Sequence, residues 1–431
     1  MTDTNANVRR SPDSGEPRRK RQVFAWSLFD FANTAFYVLI LVISYPLYFK
    51  EVVVQDQQYA DFLWGLTFSI SMAIVAFISP VLGAAADQGV SKKTFLFAFT
   101  FLCIVSTALL FFVEANAVVM GMILLILANI GFEAGLVFYD AFLPELSDKK
   151  DYGRISGFGF AMGYVGSLVT LVISFPLLRG GFVESNLLNI RGSFLLAAGM
   201  FLIFALPLFF FVREQKQHER FQLKFVTLGF RQVRQTLKEL SRYRNVSRFL
   251  ISYFIYFDAI NTIIIFSSIF ARQSLKMDLT EIVIFFALVQ TFAIAGSYSF
   301  GILSDRIGQK RCLNLTLLLW LVVVVVAFFT TDKTMFFGVG AAAGLALGSS
   351  QSTSRSLMSV IIPPNKKTEF FGFYSFFGKA SAILGPAIFG YISSAMNQRV
   401  ALLAVGLLLV AGFLLLQRVS EQPHVEELSL S

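Results

Sequence analysis

The sequence predicts an all-α membrane protein, with twelve transmembrane helices arranged as two six-helix bundles. Three observations carry that prediction. Hydrophobic residues make up 56% of the 431 and charged residues 15%, far from the composition of an ordinary soluble domain. Apolar stretches of roughly 17–25 residues, the length a helix needs to cross hydrocarbon, recur along the chain. Landmarks of the first half also return in the second at nearly constant offsets, as parallel repeats related by an axis along the membrane normal would require.

In chain order, residues 1–22 are polar and basic, with Arg9, Arg10, Arg18, Arg19, Lys20 and Arg21. They carry no short apolar core ahead of a small-residue cleavage site, so they read as a retained cytosolic tail. An N-terminal bundle follows over 23–212, with spans at about 23–49, 62–86, 94–113, 117–141, 155–178 and 192–212. The one long charged interruption, 213–247, is a basic linker. Its apolar positions Phe221, Phe225, Leu228, Val233 and Leu237 fall near helical spacing between cations, which fits an amphipathic helix on the inner leaflet; a solvated tether is the alternative. The C-terminal bundle covers 248–417, with spans at about 248–271, 280–304, 312–330, 335–361, 370–395 and 399–417, and 418–431 forms a second cytosolic tail.

The net charge of +9 would suit a nucleic-acid partner, but its distribution points elsewhere. With both termini inside, 27 of the 36 Lys and Arg fall on inner segments and 7 on outer ones, while Arg355 and Lys379 lie within spans. That asymmetry is the positive-inside pattern of a multi-pass membrane protein, and it accounts for the charge without nucleic acid. Cys103 and Cys312 are the only cysteines, too few for a disulfide framework or a metal site. His218 and His424 lie outside the spans, which leaves no histidine relay and no intramembrane zinc site. Gly372 to Lys379 superficially resembles a phosphate-binding loop, but five residues separate Gly372 from Gly378 where four are required, and Ala380 stands in place of Ser or Thr. No enzyme, metal or cofactor is expected.

The most informative repeat is Phe29-Asp30-Phe31-Ala32-Asn33-Thr34 against Phe257-Asp258-Ala259-Ile260-Asn261-Thr262, 228 positions apart. Asp30, Asn33 and Thr34 share one helix face, as do Asp258, Asn261 and Thr262. Such groups are costly in hydrocarbon and turn to a bundle interior or a water-filled cavity, so the pair reads as one site built twice, for a polar substrate or for protons. A purely structural role, in which each Asp fixes helix packing, is the competing reading. Asp87 and Asp305 recur at an offset of 218, Pro144 and Pro363 at 219, and Gly166 and Gly385 at 219.

Several intramembrane residues lack a counterpart. Glu133 and Asp140 lie seven apart on one face of the fourth span. Glu133 fits either a coupling site or a buried hydrogen-bond partner, and Asp140 a solvated helix end. Arg355 could bind a substrate carboxylate through its planar fork, or close an inner gate with Asp305 or Asp87. Lys379, near midplane, suits a substrate carboxylate or an ion pair with Asp258. Asp87 and Asp305, with Arg306, Lys310 and Arg311, are expected to form a conformational gate by charge pairing. The stripes Gly340, Gly344, Gly348 and Gly159, Gly163 read as helix-packing surfaces rather than ligand cradles.

Gly301-Ile302-Leu303-Ser304-Asp305-Arg306-Ile307-Gly308-Gln309-Lys310-Arg311 resembles the inner-loop signature of the major facilitator superfamily, and Gly83 to Lys93 keeps its Gly, its Asp and the terminal basic pair. Trp26-Ser27-Leu28-Phe29-Asp30-Phe31-Ala32-Asn33-Thr34 is similar to the opening of a narrower family, which includes bacterial permeases and the fungal vacuolar amino-acid effluxer (autophagy-related protein 22-like), with Phe29 for the usual Tyr and Thr34 for the usual Ser. Phe142 to Leu146 leading to Gly166, and Gln351 to Ser356 leading to Gly385-Pro386, resemble the same family, so the likeness spans almost the whole chain. The resemblance implies a secondary transporter working by alternating access, with amino acids the favoured class of small-molecule substrate and efflux the favoured direction. Proton coupling through Asp30 and Asp258 is expected, on the grounds that burial eases protonation of a carboxylate. Exporters of lipids, amphiphiles or drugs with the same fold, and a transport-inactive sensor, are the alternatives. A monomer in a bacterial inner membrane, with both termini cytoplasmic, completes the expectation.

Overall fold

The computed structural model describes residues 16–55, 57–88, 90–214, 223–238, 242–277, 279–396 and 398–421. Arg9, Arg10, His218, Phe221 and His424 lie outside them. Among the described residues twelve helices have 18 or more residues: α1 (Glu16–Phe36), α2 (Gln57–Asp87), α3 (Lys92–Leu109), α4 (Val118–Asp140), α5 (Tyr152–Leu178), α6 (Leu187–Phe211), α7 (Arg244–Gln273), α8 (Leu279–Ile307), α9 (Gln309–Phe329), α10 (Lys333–Ile361), α11 (Lys367–Ala395) and α12 (Gln398–Gln417). They coincide with the twelve expected spans. Nine are long and apolar enough, by length and composition among the described residues, to cross a membrane; α7, α10 and α11 fall outside that set. In α10 the reason is visible, since Ser349 to Ser356 is a nearly unbroken polar run.

The helices begin earlier than the expected spans at both bundle starts. Residues 16–22 belong to α1 and are not free tail: Arg19 pairs with Asp151 at 2.6 Å and the Arg21 guanidinium lies 3.6 Å over the Phe211 ring. Arg244 to Ser247, assigned to the linker, form the first turn of α7. After Phe36, the first span continues as π-helix over Tyr37–Ile43, α-helix over Ser44–Tyr48 and π-helix over Phe49–Val54. Pro46 explains the first widening, because it has no N–H for the Val42 carbonyl and its ring crowds that turn; the Ser44 N–H reaches back to Leu39 instead.

Within the first half, α1 packs on α5 and α6, and α3 on α4; within the second, α7 packs on α11 and α12, and α8 on α10. The Gly340, Gly344 and Gly348 stripe serves that last contact, facing Phe285, Val289 and Ala293 of α8. The halves meet through α2 with α11 and α5 with α8, and also through α5 with α10 and α4 with α11. Approach is closest at the end bearing both termini, called here the basic end. A Cβ on Gly301 would stand 2.5 Å from the Gly153 carbonyl oxygen, so no side chain fits between α8 and α5 there.

Part of the linker forms a helix, Leu223–Lys238. Gly229, Gln232 and Thr236 are its buried residues, while Phe230 and Leu237 stay exposed. A Cβ on Gly229 would stand 2.5 Å from the Val81 carbonyl of α2. Gln232 hydrogen-bonds Gln88, next to α2, and donates to the buried Glu369 of α11 at 2.5 Å; Lys366 donates to the Thr236 hydroxyl at 2.6 Å. The linker helix therefore braces both halves at the basic end. Polar contacts drive this docking because the surface it covers is made of helix ends, whose polar groups must be satisfied.

Candidate functional site

Asp30 lies four residues beyond Trp26 on α1, so the two share a face, and α4 delivers Tyr139 and Asp140 beside them. The Trp26 indole donates to the Tyr139 carbonyl at 3.0 Å and its ring stacks on Tyr139 at 4.6 Å. Held in this way, the Tyr139 hydroxyl donates to Asp30 Oδ2 at 2.7 Å. Phe29 stacks on the other side, 4.9 Å from Tyr139. Phe29 has no hydroxyl to offer, and the one that Asp30 accepts comes from Tyr139.

Arg355 of α10 reaches into this group from the opposite half. Its Nη1 lies 3.4 Å from Asp30 Oδ2 and 3.1 Å from Asp140 Oδ1, its Nε donates to the Ser156 hydroxyl at 3.0 Å, and its Nη2 to the Ser156 carbonyl at 2.8 Å. Phe160 and Trp26 rings flank the guanidinium at 4.0 and 4.9 Å. Arg355 is 1% exposed. A cation so buried is tolerable only when paired and hydrogen-bonded, which this one is on every side. Gly159 makes the room: its Cβ would come 2.8 Å from Arg355 Nη2 and 2.9 Å from Asp30 Oδ2. The expected partners of Arg355, Asp305 and Asp87, are therefore replaced by Asp30 and Asp140, and Asp140 is a partner rather than a solvated helix end.

Two helical turns along α4, about 10 Å further from the basic end, Glu133 forms a second charge bridge between the halves, with Lys379 of α11. Of the two roles the sequence suggests for Lys379, a substrate carboxylate or an ion pair with Asp258, the second is taken by Glu133 in place of Asp258. Tyr37, at the start of the π-helical stretch, is within electrostatic reach of Glu133 and of Tyr164. The Tyr164 hydroxyl donates across the halves to Gln351 Oε1 at 2.6 Å.

The repeated motifs are used unequally. Asn33 donates to Asp30 at 3.5 Å, and Thr34 turns to the Phe31 carbonyl at 2.9 Å. In α7, Asp258 is buried, Thr262 donates to its carbonyl at 2.8 Å, and Asn261 bonds Ser381 at 3.3 Å. The two motifs are alike in sequence and differ in partners.

Asp87 and Asp305 do act as a matched pair across the halves, but through backbone rather than through opposite charges. Asp87 accepts the Thr368 and Glu369 N–H groups of α11 at 3.1 and 2.8 Å; Asp305 accepts the Gly153 and Arg154 N–H groups of α5 at 2.7 and 2.8 Å. Each carboxylate thus sits on the positive end of a helix dipole in the other half. Lys310 is tied within its own half, to the Gln417 carbonyl at 2.9 Å, and Arg306 and Arg311 are exposed. Sequence reasoning missed Trp26, Tyr139, Ser156 and Phe160 as the walls around Arg355. The polar Tyr139-Asp140 step closing an apolar span was the available signal.

Comparison with known proteins agrees with this architecture. The family model described as "Vacuole effluxer Atg22 like" matches residues 18–428. The MFS-type transporter YxiO of Bacillus subtilis is 29% identical over 91% of this chain and 95% of its own length. Autophagy-related protein 22 of Coccidioides immitis is 22% identical over 77% of this chain and 68% of its own. Among solved structures, the proton:xylose symporter XylE superposes with a TM-score of 0.74 at 16% identity, covering 96% of this chain and 99% of that one. The fucose transporter FucP in its outward conformation gives 0.71 at 15% identity, covering 93% and 97%.

Proposed function

The chain belongs to the Atg22-like family of major facilitator superfamily transporters, and on that premise we propose that it is a secondary active transporter of a small polar metabolite, amino acids being the favoured class. The observation that carries this reading is the Arg355 cluster, where a cation of one half is seated among carboxylates of the other. Rocking the halves apart at the basic end must break that bridge, together with the Asp87 and Asp305 contacts, so the three form the gate of an alternating-access cycle. The excess of lysines and arginines at the basic end supports reading that end, with both termini, as the cytoplasmic side of a bacterial inner membrane. On this reading the conformation shut at the basic end is the outward-facing one, and one copy of the chain is the transport unit.

Asp30 and Asp140 face one guanidinium, so the cluster holds one negative charge in excess when both are ionised. A proton is the counter-charge that neutralises it and loosens the hold on Arg355, which couples proton binding to gate opening. Asp258, at the repeated position in α7, is the second coupling candidate. Export by proton exchange is the direction this reading favours, in keeping with the effluxer family. Purified protein in liposomes should move labelled amino acids, and Asp30→Asn should abolish the dependence on a pH gradient. Transport unchanged in both Asp30→Asn and Asp258→Asn refutes the coupling, and no flux of any amino acid refutes the substrate class.

A further inference from the structure

The two charge bridges between the halves differ in what they leave for a ligand. Arg355 has Nε, Nη1 and Nη2 all engaged by Ser156, Asp30 and Asp140, and it is 1% exposed. It is a gate component with no donor turned towards a cavity. Lys379 has its side chain 21% exposed, and its ion-pair partner among the described residues is Glu133. Tyr37 is 48% exposed although it lies in the interior of the first span, within electrostatic reach of Glu133. Tyr37 is also within electrostatic reach of Tyr164, whose hydroxyl bonds Gln351 of the other half, so its exposed phenol borders the gap between the halves at the level of the Glu133–Lys379 pair. The bonded Tyr164 and Gln351 bridge the same gap with neutral polar groups.

We infer that Glu133 and Lys379 are the two charge anchors of the substrate: Lys379 takes a carboxylate, Glu133 takes an ammonium, and the ligand is a zwitterion that inserts between them. This assignment rests on the amino-acid reading above and goes beyond it by naming which residue recognises which end. Its physical basis is the position of the pair. Glu133 is on α4 and Lys379 on α11, so the ion pair spans the two halves, and pulling it apart leaves two uncompensated charges in a poorly hydrated gap. A zwitterion gives each of them a new partner before they separate. A ligand with a single charge satisfies one anchor and strands the other, so binding and selectivity come from the same pair. A site built around two specific charges rejects an analogue lacking either by a large factor, here on the order of 100-fold or more.

The test uses the full-length protein in liposomes and the amino acid it transports best. Its carboxamide and its N-acetyl derivative are the probes, each scored as an inhibitor of labelled uptake. Wild type should favour the zwitterion over either probe by about 100-fold. Glu133→Gln should lose discrimination against the N-acetyl form and keep it against the carboxamide. Lys379→Gln should do the reverse. The double neutral variant, which strands no charge, should keep the wild-type melting temperature and discriminate against neither. Wild-type selectivity in both folded single variants overturns the assignment while leaving the amino-acid reading intact. Absence of any amino-acid transport by wild type overturns that reading and the assignment with it.

Discussion

Replacing Arg355 with Met removes a buried cation that bridges the halves near the basic end while keeping most of its apolar bulk. The guanidinium makes two contacts to carboxylates, at 3.4 and 3.1 Å, and two to Ser156. Hydrogen bonds to charged groups contribute about 1.5–3 kcal/mol each; at the lower figure the two carboxylate contacts hold the gate shut by about 3 kcal/mol. At 1.36 kcal/mol per factor of ten, the open population should rise about 150-fold. Ser359, one turn nearer the end of α10 and buried, reports this when changed to Cys, because Cys103 and Cys312 are both buried and give little background. Labelling of Ser359→Cys by a water-soluble maleimide should accelerate by that factor in the Arg355→Met background. The same substitution strands Asp30 and Asp140, at a stability cost of about 3–5 kcal/mol. Adding Asp30→Asn and Asp140→Asn should therefore restore the melting temperature without restoring slow labelling. A folded Arg355→Met protein whose labelling rate rises less than threefold would show that the arginine is not part of the gate.

The remaining predictions concern the supports of that gate. Asp87→Asn and Asp305→Asn each remove an anion from a partly buried helix N-terminus; each should speed Ser359→Cys labelling about 5- to 30-fold, and their effects should multiply in the double variant, since they lie on separate contacts. Gly159→Ala places a methyl group within 3 Å of both Arg355 and Asp30 and should open the gate as Arg355→Met does, in a protein whose circular dichroism is unchanged. Gln232→Ala removes the linker's bridge between Gln88 and Glu369 and should raise labelling about fivefold, with transport measured in parallel to show that the halves remain functional.

The helices were legible because hydrocarbon imposes a length and a composition that few other contexts share, and the pairing of halves because the offsets of the Asp, Pro and Gly landmarks agree. The partners of Arg355 and Lys379 were not legible. Asp30, Asp87, Asp140, Asp258, Glu133 and Asp305 all lie at depths from which a cation could be met, and only the packing of α4 between α1 and α11 selects among them. The gate was read as charge against charge, whereas Asp87 and Asp305 meet backbone N–H groups, donors that a count of charged side chains omits. In the linker, the apolar periodicity marks one face of the helix, while the face docked on the bundle ends carries Gly229, Gln232 and Thr236, which no apolar pattern singles out. The first π-helical stretch follows from Pro46 only once the Leu39 carbonyl is seen to take the Ser44 N–H.

Those turns have a mechanical consequence. A π-helical turn accommodates one residue more than an α-helical turn, so the first span carries slack between Asp30, which the gate holds, and Ser44, whose hydroxyl bonds Ser193 at 2.9 Å. Passing that slack along by one position swings the intervening side chains about 100° around the helix axis without displacing either end. Tyr37 is the first residue of the slack segment and borders the gap between the halves, so it can turn between facing a ligand and facing protein while the carboxylate below it stays in place. The first helix thus has the geometry of a swivel joint as well as that of a rod.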